Sequence, residues 1–235
     1  MRAFAVFVVA LLIVDLANLQ AAEPRFRPAL IGNGPNALIN LIDTKKLVQK
    51  GQRDGLLSFH CVVTTWGGAA NFATYRGTPG SEALEKEVTH ALSRCRFIPA
   101  IYDGKPTEVV IWGAALFVVT DGKPHLRIFA NQNRDDIAKW NDFIAPQIIL
   151  PAEKVRVRDE LLNAMIHHQK GVVELATTVD ENGNWKESKV LSEDPPGFNF
   201  ARVALKLFPR TKYIPGFRNG HPVDCTFHHY LWFRL

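Results

Sequence analysis

One stretch of this sequence occurs twice, and its recurrence constrains the fold more than any other feature. "FIPAIYDGKP" (residues 97–106) returns 116 positions later as "YIPGFRNGHP" (residues 213–222). At that offset, residues 55–119 align with residues 171–235 without a gap. Most of the identical pairs are Gly or Pro, which fix the shape of the backbone, so we expect a duplicated structural unit. The identical pairs are Gly55/Gly171, Val63/Val179, Gly67/Gly183, Pro79/Pro195, Arg94/Arg210, Ile98/Ile214, Pro99/Pro215, Gly104/Gly220, Pro106/Pro222 and Phe117/Phe233.

The first half of each copy has the pattern of a β-hairpin. Apolar residues alternate with more polar ones from Leu57 to Val63, and again from Val173 to Val179, which is the period of a half-buried strand. Gly67-Gly68 and Asn182-Gly183 are typical hairpin turns. Second strands are expected over 71–76 and 185–192.

The second half of each copy predicts a helix followed by a strand. Leu84, Val88 and Cys95 share one helical face in the first copy, and Phe200 and Leu207 share one in the second. The proline of the repeated motif stops the helix, and its glycine turns the chain. Last strands are expected over 107–119 and 223–234.

These elements define the expected fold class. The chain is predicted to be an α+β protein of two tandem β-β-α-β modules, each a three-stranded antiparallel sheet with one helix on one face. A right-handed crossover gives the strand order 2-1-3, which makes the last strand an edge. Short helices are expected before each module, within 36–51 and 155–171. Between the modules, an extra strand over 125–130 and a short helix after residue 132 are expected.

The repeated motif resembles the TonB C-terminal domain family. The likeness is carried by "RFIPAIYDGKP…LFVV" and "KYIPGFRNGHP…LWFRL", and "GVVELATTVDENGNWKESKVL" resembles the opening hairpin of that family. The resemblance implies a non-enzymatic cell-envelope protein and a link to TonB-type envelope transport across membranes. In that family the edge strand receives an extended peptide of a partner protein by β-strand addition. Carried over here, the partner-binding residues are Val223, Asp224, Cys225, Thr226, Phe227, His228, His229 and Tyr230.

Alternatives to strand addition remain open at this point. The module edges could be paired within the chain or buried in a homodimer, which would leave a structural envelope protein without a docking site. An enzyme would need a polar pocket between the modules, and no catalytic or phosphate-binding motif is found. Neither a cofactor nor a metal is expected, because the adjacent histidines at 167–168 and 228–229 lack the spacing of metal ligands. A net charge of +5 without a dense basic tract argues against nucleic acid as a partner.

The N-terminus indicates export. Arg2 precedes an apolar run from Ala3 to Val14 that ends in small residues, as in a secretory signal peptide over residues 1–22. A periplasmic or secreted location follows, and an uncleaved anchor in the inner membrane, with membrane contact, is the alternative. The expected domains are an N-terminal segment (23–54), the first module (55–120), a connector (121–154) and the second module (155–235).

Three cysteines fit an exported chain in two ways. Cys61 lies on the helix-facing side of its strand and Cys95 on the sheet-facing side of its helix, so the two could form a disulfide. Alternatively they are two buried thiols. The sequence leaves both interpretations open.

Overall fold

A computed structural model describes residues 25–139, 142–150 and 161–233, and it confirms the α+β class. Five helices and fourteen strands occur within those ranges. The helices are α1 (Thr44–Gln49), α2 (Glu82–Leu92), α3 (Arg134–Ala138), α4 (Leu162–Ile166) and α5 (Phe200–Leu207). The strands are β1 (Phe26–Arg27), β2 (Gly55–Val63), β3 (Ala69–Tyr75), β4 (Ala100–Tyr102), β5 (Lys105–Thr107), β6 (Val109–Thr120), β7 (Lys123–Phe129), β8 (Gln147–Ile149), β9 (Gly171–Val179), β10 (Trp185–Asp194), β11 (Tyr213–Ile214), β12 (Gly216–Arg218), β13 (His221–Val223) and β14 (Cys225–Phe233).

The two copies have the same strand register. In the first copy β2 pairs with β6 from Gly55↔Phe117 to Val63↔Val109. In the second copy β9 pairs with β14 from Gly171↔Phe233 to Val179↔Cys225, which are the aligned positions of the repeat. Both copies have the order 2-1-3, as β3-β2-β6 and as β10-β9-β14.

The repeated motif holds the hairpin turn of each copy against the segment that follows the helix. Gly67 and Gly183 have φ angles of +83° and +77°. A Cβ on Gly67 would lie 2.2 Å from the carbonyl oxygen of Phe97, and one on Gly183 would lie 2.3 Å from that of Tyr213. The amides of Phe97 and Tyr213 donate back to the carbonyls of Gly67 and Gly183, at 2.8 and 3.3 Å. The aromatic position of the motif therefore docks the chain on a turn that only glycine fits.

The sheet of the first copy extends beyond the three strands that were expected. β7 pairs with β6 from Ala114↔Phe129 to Thr120↔Lys123, close to the expected strand over 125–130. β8 pairs with Val109 and Val110 at the other end of β6, and β11 of the second copy pairs with β8. The last strand of the first copy is thus covered along most of its outer edge, because the connector folds back upon it.

Each expected last strand is interrupted. Glu108 separates β5 from β6, and Asp224 separates β13 from β14. The short strands before each break form small hairpins with β4 and β12.

The short helices also differ from expectation. The helix expected within 36–51 is a 3-10 turn at Leu38–Leu41 followed by α1, because the Asp43 side chain caps Lys46 N at 3.0 Å and starts a new helix. α4 occupies part of 155–171, and residues 151–160 lie outside the described residues. The expected signal peptide also lies outside them. In the ranges described, no helix is long and apolar enough to span a bilayer.

The cores of the two copies are joined. The core of the first copy lies between its sheet and α2 and includes Ile214 and Phe217 from the second copy. The core of the second copy lies between its sheet and α5 and includes Trp112 from β6. Each copy therefore completes its apolar core with side chains of the other.

Candidate functional site at the edge strand

β14 is an edge strand with a defined outward side. The amide of Asp180 donates to the carbonyl of Asn184 across the β9–β10 hairpin. Because the bonding direction alternates along a strand, the odd-numbered residues of β9 face β14. Cys225, Phe227, His229, Leu231 and Phe233 therefore bond to β9. The backbone groups of Thr226, His228, Tyr230 and Trp232 point outward.

The equivalent edge of the first copy shows what an occupied edge looks like. Val110, Ala114 and Leu116 occupy the positions of Thr226, Tyr230 and Trp232, and they pair with β8 and β7. In the part of the chain that the structure describes, no strand pairs with the outward side of β14. The two edges thus share one geometry and differ in what lies beside them.

Side chains of the first copy and the connector lie against this edge. Gln132 Nε2 donates to the carbonyl oxygen of His228 at 2.7 Å, and its Oε1 accepts from the hydroxyl of Tyr75. The rings of His60 and Trp232 are stacked with their centroids 4.3 Å apart. We call Gln132, Tyr75, Arg76 and His60 the edge cover.

The edge cover also binds the hydroxyl of Tyr230. Arg76 Nη1 donates to this hydroxyl, which in turn donates to Glu174 Oε1 at 2.6 Å. Arg76 also lies 3.8 Å from the Glu174 carboxylate. The pKa of Tyr230 is raised to about 12, mainly by partial burial and next by the hydrogen bond to Glu174. The phenol therefore remains protonated and donates to Glu174 at any physiological pH.

The comparison with known families covers the part of the chain that carries this edge. Residues 163–235 match the family described as the Gram-negative bacterial TonB protein C-terminal. Residues 163–235 are a TonB C-terminal domain. No curated protein sequence matches the chain. The match confirms the resemblance for the second copy and indicates a TonB-like envelope protein, since this is a family of periplasmic-side interaction domains.

The predicted partner-binding residues lie near the end of the TonB C-terminal domain, and they occupy three environments. Val223 lies in β13, paired with Gly216, and Asp224 bonds Lys186 Nζ and Glu181 N, each at 2.7 Å. Cys225, Phe227 and His229 are half-buried or buried on the α5 side of β14. Of the outward residues, Thr226 and His228 are exposed and Tyr230 is half-buried.

Several residues at this edge of the TonB C-terminal domain were missed by the sequence interpretation. Trp232 belongs to the outward set, and the edge cover comes from β2, the end of β3 with the residue that follows it, and the connector. The sequence did contain one signal that this face of the first copy is covered. His60 and Trp112 stand opposite each other on β2 and β6, on the face away from α2, where an isolated module would expose them.

A cleft lies beside β14, between the TonB C-terminal domain and the first copy. Its volume is about 980 Å³, and most of its lining is apolar. His229 lines it, is fully buried, and packs between the rings of Phe208 and Phe227. No group of three metal-ligating side chains occurs among the described residues.

The three cysteines are free thiols in the structure. Cys61 and Cys95 are both buried in the first core, and no bond joins them in the structure. Burial raises the pKa of Cys61 well above its ordinary value and that of Cys95 to about 11, so neither thiolate is readily formed. The disulfide stays a prediction that a peptide map tests.

Proposed function

We propose that this protein is a non-enzymatic binding protein of the cell envelope that captures an extended segment of a partner protein. The segment adds as a strand to the outward side of β14. One observation carries this proposal: among the described residues, β14 pairs with a strand on one side, whereas its counterpart β6 pairs with strands on both. The chain itself thus supplies an example of this edge geometry with added strands, in β7 and β8.

Backbone hydrogen bonds would supply most of the affinity of such a complex. Thr226, His228, Tyr230 and Trp232 offer the amides and carbonyls. Their side chains lie on the face of the sheet away from α5, where they would contact alternate residues of the incoming strand. Tyr230 and Trp232 carry aromatic rings there, which pack on Tyr75 and His60 in the structure. Once the edge cover is displaced, the partner segment would place apolar residues against these rings at every second position.

Strand addition requires displacement of the edge cover. The Gln132 side chain donates a hydrogen bond to the carbonyl of His228, and Arg76 donates one to the hydroxyl of Tyr230. Each contact is a single side-chain hydrogen bond near the surface, of a kind that contributes about 1 kcal/mol. A partner forming four or more backbone hydrogen bonds would replace them. The first copy then acts as a cover that sets a threshold for binding.

A structural role is the second candidate, and the same contacts favour it. If the edge cover is permanent, the first copy protects β14 from unwanted pairing, as proteins commonly do with exposed edges. The joined cores support a fixed arrangement of the two copies. In this role the protein would form a rigid envelope component, alone or as a homodimer, without a docking site.

A proline at position 226 separates the two functions. Thr226 is exposed, and its N–H points outward, so Thr226→Pro removes an outward donor without breaking the β9 ladder. Thr226→Val is the matched control, because it also loses the Thr178 hydroxyl contact of 2.8 Å but keeps the N–H. The two variants and the parent protein serve as baits in an envelope extract from a Gram-negative bacterium.

Strand addition predicts a protein retained by the parent and by Thr226→Val and lost with Thr226→Pro. Circular dichroism should show that all three baits are folded. A set of retained proteins that is the same for Thr226→Pro as for the parent contradicts strand addition at β14. That result favours the structural role.

A further inference from the structure

The cleft between the copies has the dimensions and surface of a small-molecule site. Its volume of about 980 Å³ lies at the upper end of the range for ligand pockets. Val62 and Val110 line it from the first copy, Ile148 from β8, and Phe208 and Leu231 from the second copy. These residues come from three parts of the chain and form one apolar wall.

Two residues that line this wall each have a buried ring nitrogen without a hydrogen-bond partner among the described residues. The nitrogens are Nε1 of Trp112 and Nδ1 of His229. The exposed fraction is 4% for Trp112 and 0% for His229, and the two rings are 5.0 Å apart. Buried polar groups nearly always have a partner, so two lacking one at the same cleft indicate a missing acceptor or donor.

For Trp112 the missing partner is an acceptor, because an indole can only donate. For His229 it depends on the tautomer of the ring, which we assign from the network behind it. Trp185 Nε1 donates to Ser188 Oγ at 2.9 Å, since an indole can only donate. Ser188 Oγ lies 2.8 Å from Thr177 Oγ1, which lies 2.9 Å from His229 Nε2. If each hydroxyl accepts once and donates once, Nε2 accepts and the proton of the neutral ring is on Nδ1, and we adopt this tautomer. Burial, the main cause of a His229 pKa of about 3, keeps the ring neutral.

In this tautomer both unpartnered groups are donors, and the charged side chains that line the cleft are positive. Arg210 and Lys212 line the cleft, and both are exposed. No Asp or Glu is among the described residues that line it. Two N–H groups and two cations on an apolar surface fit a ligand with an apolar body and an anionic acceptor.

We propose that this cleft binds a small amphiphilic carboxylate. Its carboxylate oxygens accept hydrogen bonds from Trp112 Nε1 and His229 Nδ1, and Arg210 and Lys212 favour its negative charge. Its hydrocarbon body lies against Val62, Val110 and Phe208. This site adjoins the outward side of β14, because Tyr230 and Trp232 also line the cleft. Binding of a small carboxylate is measured on the protein alone, so it is tested independently of strand addition.

Calorimetric titration of the purified protein with three ten-carbon probes tests the class of ligand. The probes are decanoate, decan-1-ol and decylamine, each kept below its aggregation limit. Decanoate should bind with one site per chain and at least tenfold more tightly than decylamine, with decan-1-ol between them. An undetectable decanoate signal, or decylamine binding as tightly as decanoate, overturns the proposal.

Two variants locate the site. Trp112→Phe keeps the ring area and removes the N–H, and it should weaken decanoate binding about threefold to tenfold. Trp66→Phe is the matched control, because Trp66 is 63% exposed and lies outside the cleft. Equal decanoate affinity in Trp112→Phe and the parent, with both folded, contradicts the assignment of Trp112.

A charge variant decides the matter if Trp112→Phe does not fold. Arg210→Ala changes an exposed side chain, so the core is unaffected. It should weaken binding of decanoate several-fold and leave decan-1-ol unchanged. A parallel loss for both probes, or no loss for either, contradicts an anionic ligand at this cleft.

Discussion

The rings of His60 and Trp232 are stacked at 4.3 Å between centroids, with 20° between their planes. His60 is on β2 of the first copy, and Trp232 is near the end of the edge strand of the second. Tyr75 completes the contact, with its ring 5.0 Å from Trp232 and 5.4 Å from Tyr230. The face of one duplicated sheet thus lies against the edge of the other, and the relation between the copies is set by aromatic side chains.

A double-mutant cycle at this stacked pair should measure how strongly the copies are held together. We expect His60→Ala and Trp232→Ala to be non-additive, with a coupling free energy of about 0.5–1.5 kcal/mol, as for other ring pairs. Urea unfolding of the parent, the two single variants and the double variant gives this value. Trp66→Ala combined with His60→Ala is the control cycle and should be additive, because Trp66 lies instead beside Arg96. A coupling free energy near zero for the His60–Trp232 pair would show that the ring contact does not join the copies.

The two turn glycines should be the least replaceable positions of the repeat. Gly67→Ala and Gly183→Ala each combine a positive φ with a Cβ that meets a backbone carbonyl oxygen. Each should lower the free energy of unfolding by about 3 kcal/mol or more. Gly122→Ala is the control, since Gly122 has a φ of +73° and open space around its Cβ. It should cost about 1–2 kcal/mol, and losses as small as this at positions 67 and 183 would contradict the docking role of the motif.

The repeat, the hairpins and the strand order could be predicted because they depend on local signals. Turn glycines, the prolines of the repeated motif and short-range periodicity lie within single copies and recur at one offset. The 2-1-3 order then follows from the handedness of the crossover. These signals fixed which strand lies at the edge of the second copy, and the structure has it there.

The surroundings of the edge could not be predicted because they depend on residues far apart in the chain. β8 and β11 have three and two residues, which is too short for a periodic pattern. Gln132 follows β7 in a segment without regular structure, yet its amide reaches both His228 and Tyr75. Such contacts arise only once the two copies are packed, and no spacing in the sequence encodes them.

The stability of the protein should fall between pH 7 and pH 5 because of His229. Burial lowers its pKa to about 3 in the folded state, whereas an unfolded histidine titrates near 6.5. Below pH 6.5 the unfolded chain therefore binds a proton that the folded chain does not, and this favours unfolding down to about pH 3. The loss from this one residue between pH 7 and pH 5 is about 2 kcal/mol. Urea unfolding at the two pH values measures it.

His229→Gln should remove most of this pH dependence, whatever its effect at pH 7. His228→Gln is the control at the neighbouring position, where the side chain is exposed. It should keep the slope of the parent. If His229→Gln and the parent lose the same stability between pH 7 and pH 5, another group is responsible.

The cysteines of the first core should react only when the chain unfolds. Burial raises the pKa of Cys61 and Cys95, and both side chains are at most 1% exposed. At pH 8 without reductant, iodoacetamide should label neither in the folded protein and both in urea. Mass mapping of the digested protein reads out each site. A Cys61–Cys95 peptide pair that resists labelling in urea until a reductant is added would instead reveal the disulfide.

Gln132→Ala should open the edge of the second copy and leave its ladder intact. The amide of Gln132 joins the Tyr75 hydroxyl to the His228 carbonyl, so its loss removes the hydrogen bonds that tie the connector to β14. Hydrogen exchange at the outward amides of Thr226, His228 and Tyr230 should become faster, because the Gln132 side chain lies against this edge and its loss exposes the edge to water. The amides of Phe227 and His229, which bond to β9, serve as internal controls and should keep their protection. Equally faster exchange at the outward amides and at the β9-facing amides would mean that the whole strand detaches. Unchanged exchange at all of them would mean that Gln132 does not protect the edge.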